Sequence, residues 1–409
     1  MRGVTTRKFN RGKRLKVVYI NPRGFFNLAL LLALSYTKIL GVDKRSILAF
    51  IMVSALILTI TLTSGISLAL RNKPKPEIKN EEFIGYLALI FILSICAGVV
   101  NCLLLLLYSN LKSDIPAPIF VVCFVYTVLA CGNLGSQDAL LAAGNVKIAT
   151  IFDLITILIQ ILTLIFFVNI AQTSLMVSVF IAFIFSYSLV SFASVAIVLN
   201  NFPVDKFLLK SGMRSILTQS KKQHLFGIAN GLVDRIDRFL VGLILPISFL
   251  AKYALLTSII SFARFLPDSA VKITLLKHHR GEQVKAINYS AQQLTYILMA
   301  GIALVIASQS FIYLAFGPTW ILPIYVGALL VGQEILRGNY QLKAVKLLAI
   351  GGTHEMSRIS GSLILLSIFL ISIGVATFGV WGAPLAMVMV YSILTLVIER
   401  ELKKYQNVN

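Results

Sequence analysis

The sequence predicts an all-α polytopic membrane protein with about twelve transmembrane helices, arranged as two pseudo-symmetric six-helix bundles around a central cavity. Three observations predict it: long apolar runs recur along the chain, few residues are charged, and positive charge is concentrated in alternate loops. Hydrophobic residues make up 58% of the chain and charged residues 13%, whereas a soluble domain has about 25% charged residues. The net charge of +21 does not indicate nucleic-acid binding, because the basic residues lie between spans, where membrane topology explains them.

Each predicted span is an apolar run close to the roughly 20 residues that a helix needs to cross a bilayer. The runs are centred on residues 25–41, 47–70, 83–108, 117–142, 148–169, 174–199, 224–246, 251–271, 289–314, 320–342, 359–377 and 380–398. The first run follows a basic segment as in a signal peptide, but no small-residue cleavage site is evident and more spans follow. We therefore expect it to be a retained helix.

The distribution of Lys and Arg predicts the orientation. With the N-terminus inside, the inside segments hold 28 Lys and Arg and the outside loops hold 4, which is the asymmetry expected of cytoplasmic loops. Both termini are therefore predicted to be cytoplasmic. The predicted organisation is a basic tail, an N-terminal six-helix lobe, a basic cytoplasmic linker, a C-terminal six-helix lobe and a second tail, over residues 1–23, 24–200, 201–223, 224–399 and 400–409.

Two short internal matches predict that the lobes arose by duplication. Residues 40–50 align with 245–255 at an offset of 205, and residues 140–145 align with 347–352 at an offset of 207. With an even number of spans in each copy, both copies would have the same orientation, related by an axis along the membrane normal.

The predicted span at 224–246 contains four ionisable residues in five positions: Asp234, Arg235, Asp237 and Arg238. At 1.5 Å per residue, Asp234 would lie about 15 Å below the start of the span. This is near the middle of a hydrocarbon core about 30 Å thick. Charges at that depth are costly and usually mark a transport pathway. The alternative is a self-neutralised cluster that only fixes this helix to a neighbour.

Two further charged pairs lie in later spans. Arg264 and Asp268 are four residues apart with a proline between them, and Glu334 and Arg337 are three apart. Either pair could face a cavity, or its cation could extend to the cytoplasmic surface. Glu334 is the deeper residue of its pair and is a candidate site for a proton or sodium ion.

The sequence shows no catalytic or cofactor-binding pattern. The four His residues lie at or near predicted cytoplasmic ends, the four Cys residues lie inside apolar runs, and neither group has metal-ligand spacing. There is no GxxxxGK[ST] phosphate-binding loop, so direct use of ATP is not expected. The chain is predicted to be a transporter without a cofactor, with possible H⁺ or Na⁺ coupling, and not an enzyme.

Several short motifs resemble those of one membrane protein family. They are Leu40-Gly41, Leu141-Ala142-Ala143-Gly144-Asn145, Asp237-Arg238, Tyr253-Ala254, Phe316-Gly317 before Trp320, Gly379 and Gly382-Ala383. The pattern resembles the Wzx-type polysaccharide flippases, the O-antigen exporters of the multidrug/oligosaccharidyl-lipid/polysaccharide exporter superfamily. It departs at Ser46 and Ala251, where that family commonly has glycine.

This resemblance implies a flippase of the bacterial inner membrane that moves polyprenyl-pyrophosphate-linked oligosaccharides for O-antigen, capsule or exopolysaccharide synthesis. Its partners would be the lipid-linked oligosaccharide and membrane lipids, and they could include other polysaccharide assembly proteins. Arginine suits this cargo because its planar fork binds phosphate through two hydrogen bonds. The predicted substrate-binding residues are Arg235, Arg238, Arg264 and Arg337, and the predicted orienting or ion-coupling residues are Asp234, Asp237, Asp268 and Glu334.

The sequence leaves two alternative functions open. A multidrug/cation antiporter of the same superfamily would share the fold, although a cationic substrate favours an acidic or aromatic cavity. A multi-span polysaccharide polymerase would need a sizeable outer loop with catalytic residues, and the predicted outer loops are all about ten residues or shorter.

Overall fold

A computed structural model describes most of the chain. The described residues are 22–71, 78–112, 115–169, 175–201, 209–261, 291–349 and 352–408. Within them the structure is almost entirely helical. The α-helices are α1 (Pro22–Arg71), α2 (Asn80–Lys112), α3 (Ala117–Ala142), α4 (Val146–Asn169), α5 (Leu175–Asn201), α6 (Leu209–Ile244), α7 (Ile247–Ile260), α8 (Ala291–Phe316), α9 (Ile324–Ala349), α10 (Thr353–Phe378) and α11 (Gly382–Val408). Short 3₁₀ helices, Pro318–Trp320 and Gly379–Trp381, precede α9 and α11.

Every predicted span overlaps one of these helices, and α1 contains the first two. Its backbone breaks at Gly41, which has φ 71° and ψ −179°. A Cβ added there would meet nothing within 4 Å, so the requirement for glycine is conformational rather than steric. The break separates the spans predicted at 25–41 and 47–70. The span predicted at 251–271 is described only as far as α7 and Ser261.

The hydropathy of the helices is that of a multi-pass membrane protein. Seven stretches of the described residues are long and apolar enough to cross a membrane, and the longest, Glu355–Lys404, covers both α10 and α11. Large apolar side chains such as Phe192, Leu314 and Leu365 are exposed, as expected on faces that lipid covers. Neither α6 nor α9 is among the seven, because these two helices carry the charged residues described below.

Glycine brings α1 and α6 into close contact. A Cβ on Gly227 would approach the side chain of Ser64, and a Cβ on Gly231 would overlap the side chain of Ile60. Small residues allow such close approach of helices within a membrane. Because α1 and α6 belong to the first and second predicted lobes, this contact joins the two halves of the chain.

The two internal sequence matches have structural counterparts. Ser46 and Ala251 are equivalent at the offset of 205, and the Ala251 N–H donates to Ser46 Oγ at 3.2 Å. Positions related by a two-fold axis can contact each other only near that axis. At the offset of 207, Asn145 N–H donates to the Leu140 carbonyl at 2.9 Å and Gly352 N–H donates to the Leu347 carbonyl at 3.0 Å. Both features agree with the duplication, which stays a prediction.

The predicted linker 201–223 is helical from Leu209 onward and forms the first turns of α6. Gly212 packs directly against the backbone of Glu81 in α2. The buried carboxylate of Glu82 accepts hydrogen bonds from Ser215 Oγ at 2.7 Å and from Gln219 Nε2 at 3.1 Å. The N-terminal end of α6 is therefore fixed to α2, because a buried carboxylate needs such donors.

Candidate functional site

Arg337 of α9 binds two carboxylates in the interior. Its Nε lies 2.8 Å from Asp234 Oδ1, and its Nη2 donates to Asp234 Oδ2 at 2.9 Å. Its Nη1 lies 3.4 Å from Glu334 Oε2 on the same helix. Arg337 is 8% exposed and Glu334 is 4% exposed. Asp234 and Arg337 are 103 residues apart in the chain, so this ion pair fastens α6 to α9.

Asp237 is held by a second set of contacts. It is 2% exposed, and its Oδ2 accepts a hydrogen bond from the Tyr253 hydroxyl of α7 at 2.9 Å. Its Oδ1 accepts the backbone N–H of Arg238 at 2.7 Å. The two aspartates of α6 thus contact different neighbouring helices, Asp234 reaching α9 and Asp237 reaching α7.

Arg235 turns back along its own helix. Its Nη1 donates to the Gly231 carbonyl one turn earlier, at 3.1 Å. The side chain is half-buried. The side chain therefore lies along the turn of α6 that begins at Gly231.

Arg238 is different, because no carboxylate is paired with it among the described residues. Its Nε is buried without a hydrogen-bond partner, while the side chain as a whole is half-buried. At 100° per residue, Arg238 lies on the same side of α6 as Gly231 and Gly242. Gly231 packs against Ile60 of α1, and Gly242 packs first against Leu250 of α7 and then against Phe50 of α1.

The part of α1 that packs against this region of α6 is mostly apolar. It lies between Phe50 and Ile60, where Val53 and Ile57 belong to a buried hydrophobic cluster with Leu232 of α6. Because Arg238 is only half-buried and has no carboxylate partner among the described residues, its guanidinium remains open to an anionic ligand.

A small polar cavity adjoins the ion pair. Its volume is about 10 Å³ and its lining includes Asp234, Arg337, Tyr340 and Tyr391, which leaves room for about one water molecule. The hydroxyl of Tyr340 is buried without a hydrogen-bond partner. No group of three or more side chains among the described residues is arranged to hold a metal ion.

The structure brings together six of the eight predicted site residues. Asp234, Arg235, Asp237 and Arg238 lie on α6, and Glu334 and Arg337 lie on α9. Arg264 and Asp268 lie outside the described residues, and their predicted roles stay predictions.

The sequence analysis did not assign Tyr253, Tyr340 or Tyr391 to the site. Only Tyr253 carried a signal, since it belongs to the Tyr253-Ala254 motif. A tyrosine within an apolar run otherwise resembles a core residue, because the sequence does not show which other helix its hydroxyl faces.

No protein-family model and no curated protein matches the chain. Solved structures do match over nearly the whole chain. "Lipid II flippase MurJ, inward closed conformation" matches with a TM-score of 0.71 and 16% identity, covering 93% of this chain and 86% of that one. An inward-facing multidrug resistance MATE family transporter of the MOP superfamily matches with a TM-score of 0.62 and 13% identity, covering 94% and 96%.

A mutant form of the MATE transporter VcmN of Vibrio cholerae matches with a TM-score of 0.60 and 15% identity, covering 94% of this chain and 95% of that one. At such low identity these matches establish the fold. This chain is a multi-pass α-helical membrane protein with the fold of MOP superfamily transporters.

Proposed function

We propose that this chain is a flippase that moves polyprenyl-pyrophosphate-linked oligosaccharide units across the bacterial inner membrane, for O-antigen, capsule or exopolysaccharide synthesis. The observation that carries the proposal is Arg238, a guanidinium without a carboxylate partner at the contact between α1 and α6. A pyrophosphate headgroup offers the anionic oxygens that this guanidinium lacks. The fold shared with a lipid II flippase supports a lipid-linked cargo.

The site residues would divide into three roles. Arg238 would contact the pyrophosphate, and Arg235 would contribute positive charge on the same side of α6. Arg337 would position Asp234 and fix α9, since two carboxylates already neutralise it. Alternating access would then require α1 and α6 to separate, because Arg238 lies on the side of α6 that faces α1.

Asp237 and Glu334 are the candidates for ion coupling. Asp237 is nearly inaccessible, and Tyr253 on α7 holds it by a hydrogen bond. Taking up or releasing a proton would change the strength of this bond and so the contact between α6 and α7. We expect both termini to face the cytoplasm, as the distribution of loop charges predicts.

A drug antiporter is the second candidate, because MATE transporters share this fold. The candidates differ in the charge of the cargo. An unpaired arginine attracts an anionic headgroup and repels a cationic drug, so the geometry at Arg238 favours the flippase.

The test compares Arg238→Ala and Arg238→Lys in the native host, with protein abundance and lipid-linked sugars measured together. We expect the alanine variant to accumulate single repeat units on the inner leaflet and the lysine variant to retain part of the transport. Arg214→Ala is the matched control, because Arg214 is exposed near the cytoplasmic end of the same helix. Normal transport by Arg238→Ala at normal abundance would remove Arg238 from the mechanism.

A further inference from the structure

An apolar groove lies on the lipid-facing side of α10 and α11, away from the charged cluster. Its volume is about 510 Å³. The lining residues are Arg358, Ile359, Ser362, Leu365, Leu366, Phe369, Ile393, Leu394 and Val397. Leu365 is 72% exposed and Phe369 is 62% exposed, so the groove opens to the outside of the protein.

The groove has the length of one membrane leaflet. Arg358 and Phe369 mark its ends on α10 and are separated by about 16 Å at 1.5 Å per residue. Half of a hydrocarbon core is about 15 Å thick. The predicted topology places Arg358 at the cytoplasmic end of the groove, so it spans the inner leaflet.

The cytoplasmic end of the groove is cationic. Arg358 Nη2 and Lys404 Nζ lie 3.4 Å and 3.0 Å from the same oxygen of Glu401. Two cations share this buried carboxylate, and Arg358 remains 68% exposed at its side chain. Such a cation can reach a headgroup phosphate without losing its protein contact.

The other charged residues near the cytoplasmic end of the groove also sum to a positive charge. The two helices carry Arg358, Arg400, Lys403 and Lys404 against Glu355, Glu399 and Glu401. Lys343 of α9 pairs with Glu399, which leaves two carboxylates for four cations. The surface where the groove ends is therefore positive, and it attracts anionic headgroups.

We propose that the groove between α10 and α11 binds one anionic phospholipid of the inner leaflet, with its acyl chain along Leu365, Leu366 and Phe369 and its phosphate at Arg358. An apolar groove as long as one leaflet, with a cation at its interfacial end, fits one acyl chain and the phosphate of the same lipid. This inference does not depend on the proposed transport function, because it concerns an outward face remote from Arg238.

The test measures lipid binding to the purified full-length protein by native mass spectrometry. The probes are phosphatidylglycerol and phosphatidylcholine with identical acyl chains. We expect wild type to retain phosphatidylglycerol preferentially and Arg358→Gln to lose about fivefold in its affinity, since one cation near a membrane surface contributes about 1 kcal/mol. Lys403→Gln is the matched control, because Lys403 is an exposed cation on another side of α11. It should retain the wild-type preference.

A second variant tests the apolar part of the groove. Ser362→Phe fills it and should lower the affinity for phosphatidylglycerol, whereas Ile368→Phe, on an exposed part of α10 outside the groove, should not. Melting temperatures are measured in parallel, so that misfolding is not mistaken for lost binding. Equal binding of the two lipids, or equal effects of Arg358→Gln and Lys403→Gln, would overturn the proposal.

A third probe separates a phospholipid from the transported lipid. If a short polyprenyl phosphate displaced phosphatidylglycerol from wild type but not from Ser362→Phe, the groove would be a site for the cargo tail and the phospholipid assignment would be wrong. Because no transport is measured, lost lipid binding leaves the test of Arg238 unaffected.

Discussion

Two arginines at helix α6 differ in what neutralises them. Arg337 of α9 contacts the carboxylates of Asp234 and Glu334, whereas Arg238 of α6 has no carboxylate partner among the described residues. The ion pair of Arg337 holds two helices together, and the unpaired charge of Arg238 favours the binding of an anion. The comparison teaches that charge within a span does not identify a ligand site until its partners are known.

Removing Arg337 should give the largest effect. Arg337→Ala removes the cation that contacts both Asp234 and Glu334, and breaking a buried pair from one side costs about 3–5 kcal/mol. The measurement is the free energy of unfolding in detergent, with the melting temperature in support. Asp234→Asn combined with Arg337→Gln should recover part of the loss. Unchanged stability of Arg337→Ala would show that the carboxylate contacts of Arg337 do not distinguish it from Arg238.

Tyr253→Phe should weaken the attachment of α6 to α7. The hydroxyl donates a hydrogen bond to Asp237, and removing one donor from a buried carboxylate costs about 1–3 kcal/mol. The same unfolding measurement applies. Tyr313→Phe is the matched control because Tyr313 is exposed, and it should stay within about 0.5 kcal/mol of wild type. Equal effects of the two variants would mean that the hydroxyl–carboxylate contact contributes nothing.

Gly212→Ala should disturb the contact that fixes the N-terminal end of α6 to α2. An added methyl group would overlap the backbone of Glu81, and forcing such packing apart costs about 1–3 kcal/mol. Gly132→Ala is the control, since nothing lies within 4 Å of its added Cβ and alanine favours a helix by about 1 kcal/mol. We expect Gly212→Ala to lower the melting temperature and Gly132→Ala to raise it. A change of the same sign in both variants would refute the close backbone contact.

Arg238→Met should have the smallest effect on stability of these variants, although it should abolish transport. Replacing a half-buried cation that has no carboxylate partner by an apolar side chain of similar length should leave the free energy of unfolding unchanged or raise it by about 1 kcal/mol. Transport of the lipid-linked cargo should nevertheless be lost. A destabilisation as large as that of Arg337→Ala would place Arg238 in the structural cluster and would end the contrast between Arg238 and Arg337.

Much of the fold could be predicted because hydropathy acts on each segment separately. The bend at Gly41 lies where the first two predicted spans meet, and the similar backbone hydrogen bonds of Asn145 and Gly352 lie within the two matched segments. The segment before His224 was different. Its polar residues suggested a loop, yet contacts with Glu82 and the backbone of α2 stabilise a helix from Leu209 onward.

The sequence by itself determined that the chain crosses the membrane many times, and that one span carries four charges while another carries the Glu334 and Arg337 pair. Hydrocarbon thickness and the cost of buried charge are sufficient for those conclusions. Only the tertiary structure decided that Asp234 pairs with Arg337, that Tyr253 holds Asp237, and that Arg238 has no carboxylate partner among the described residues. Those choices depend on which sides of helices far apart in sequence come together, and hydropathy along one chain does not specify that.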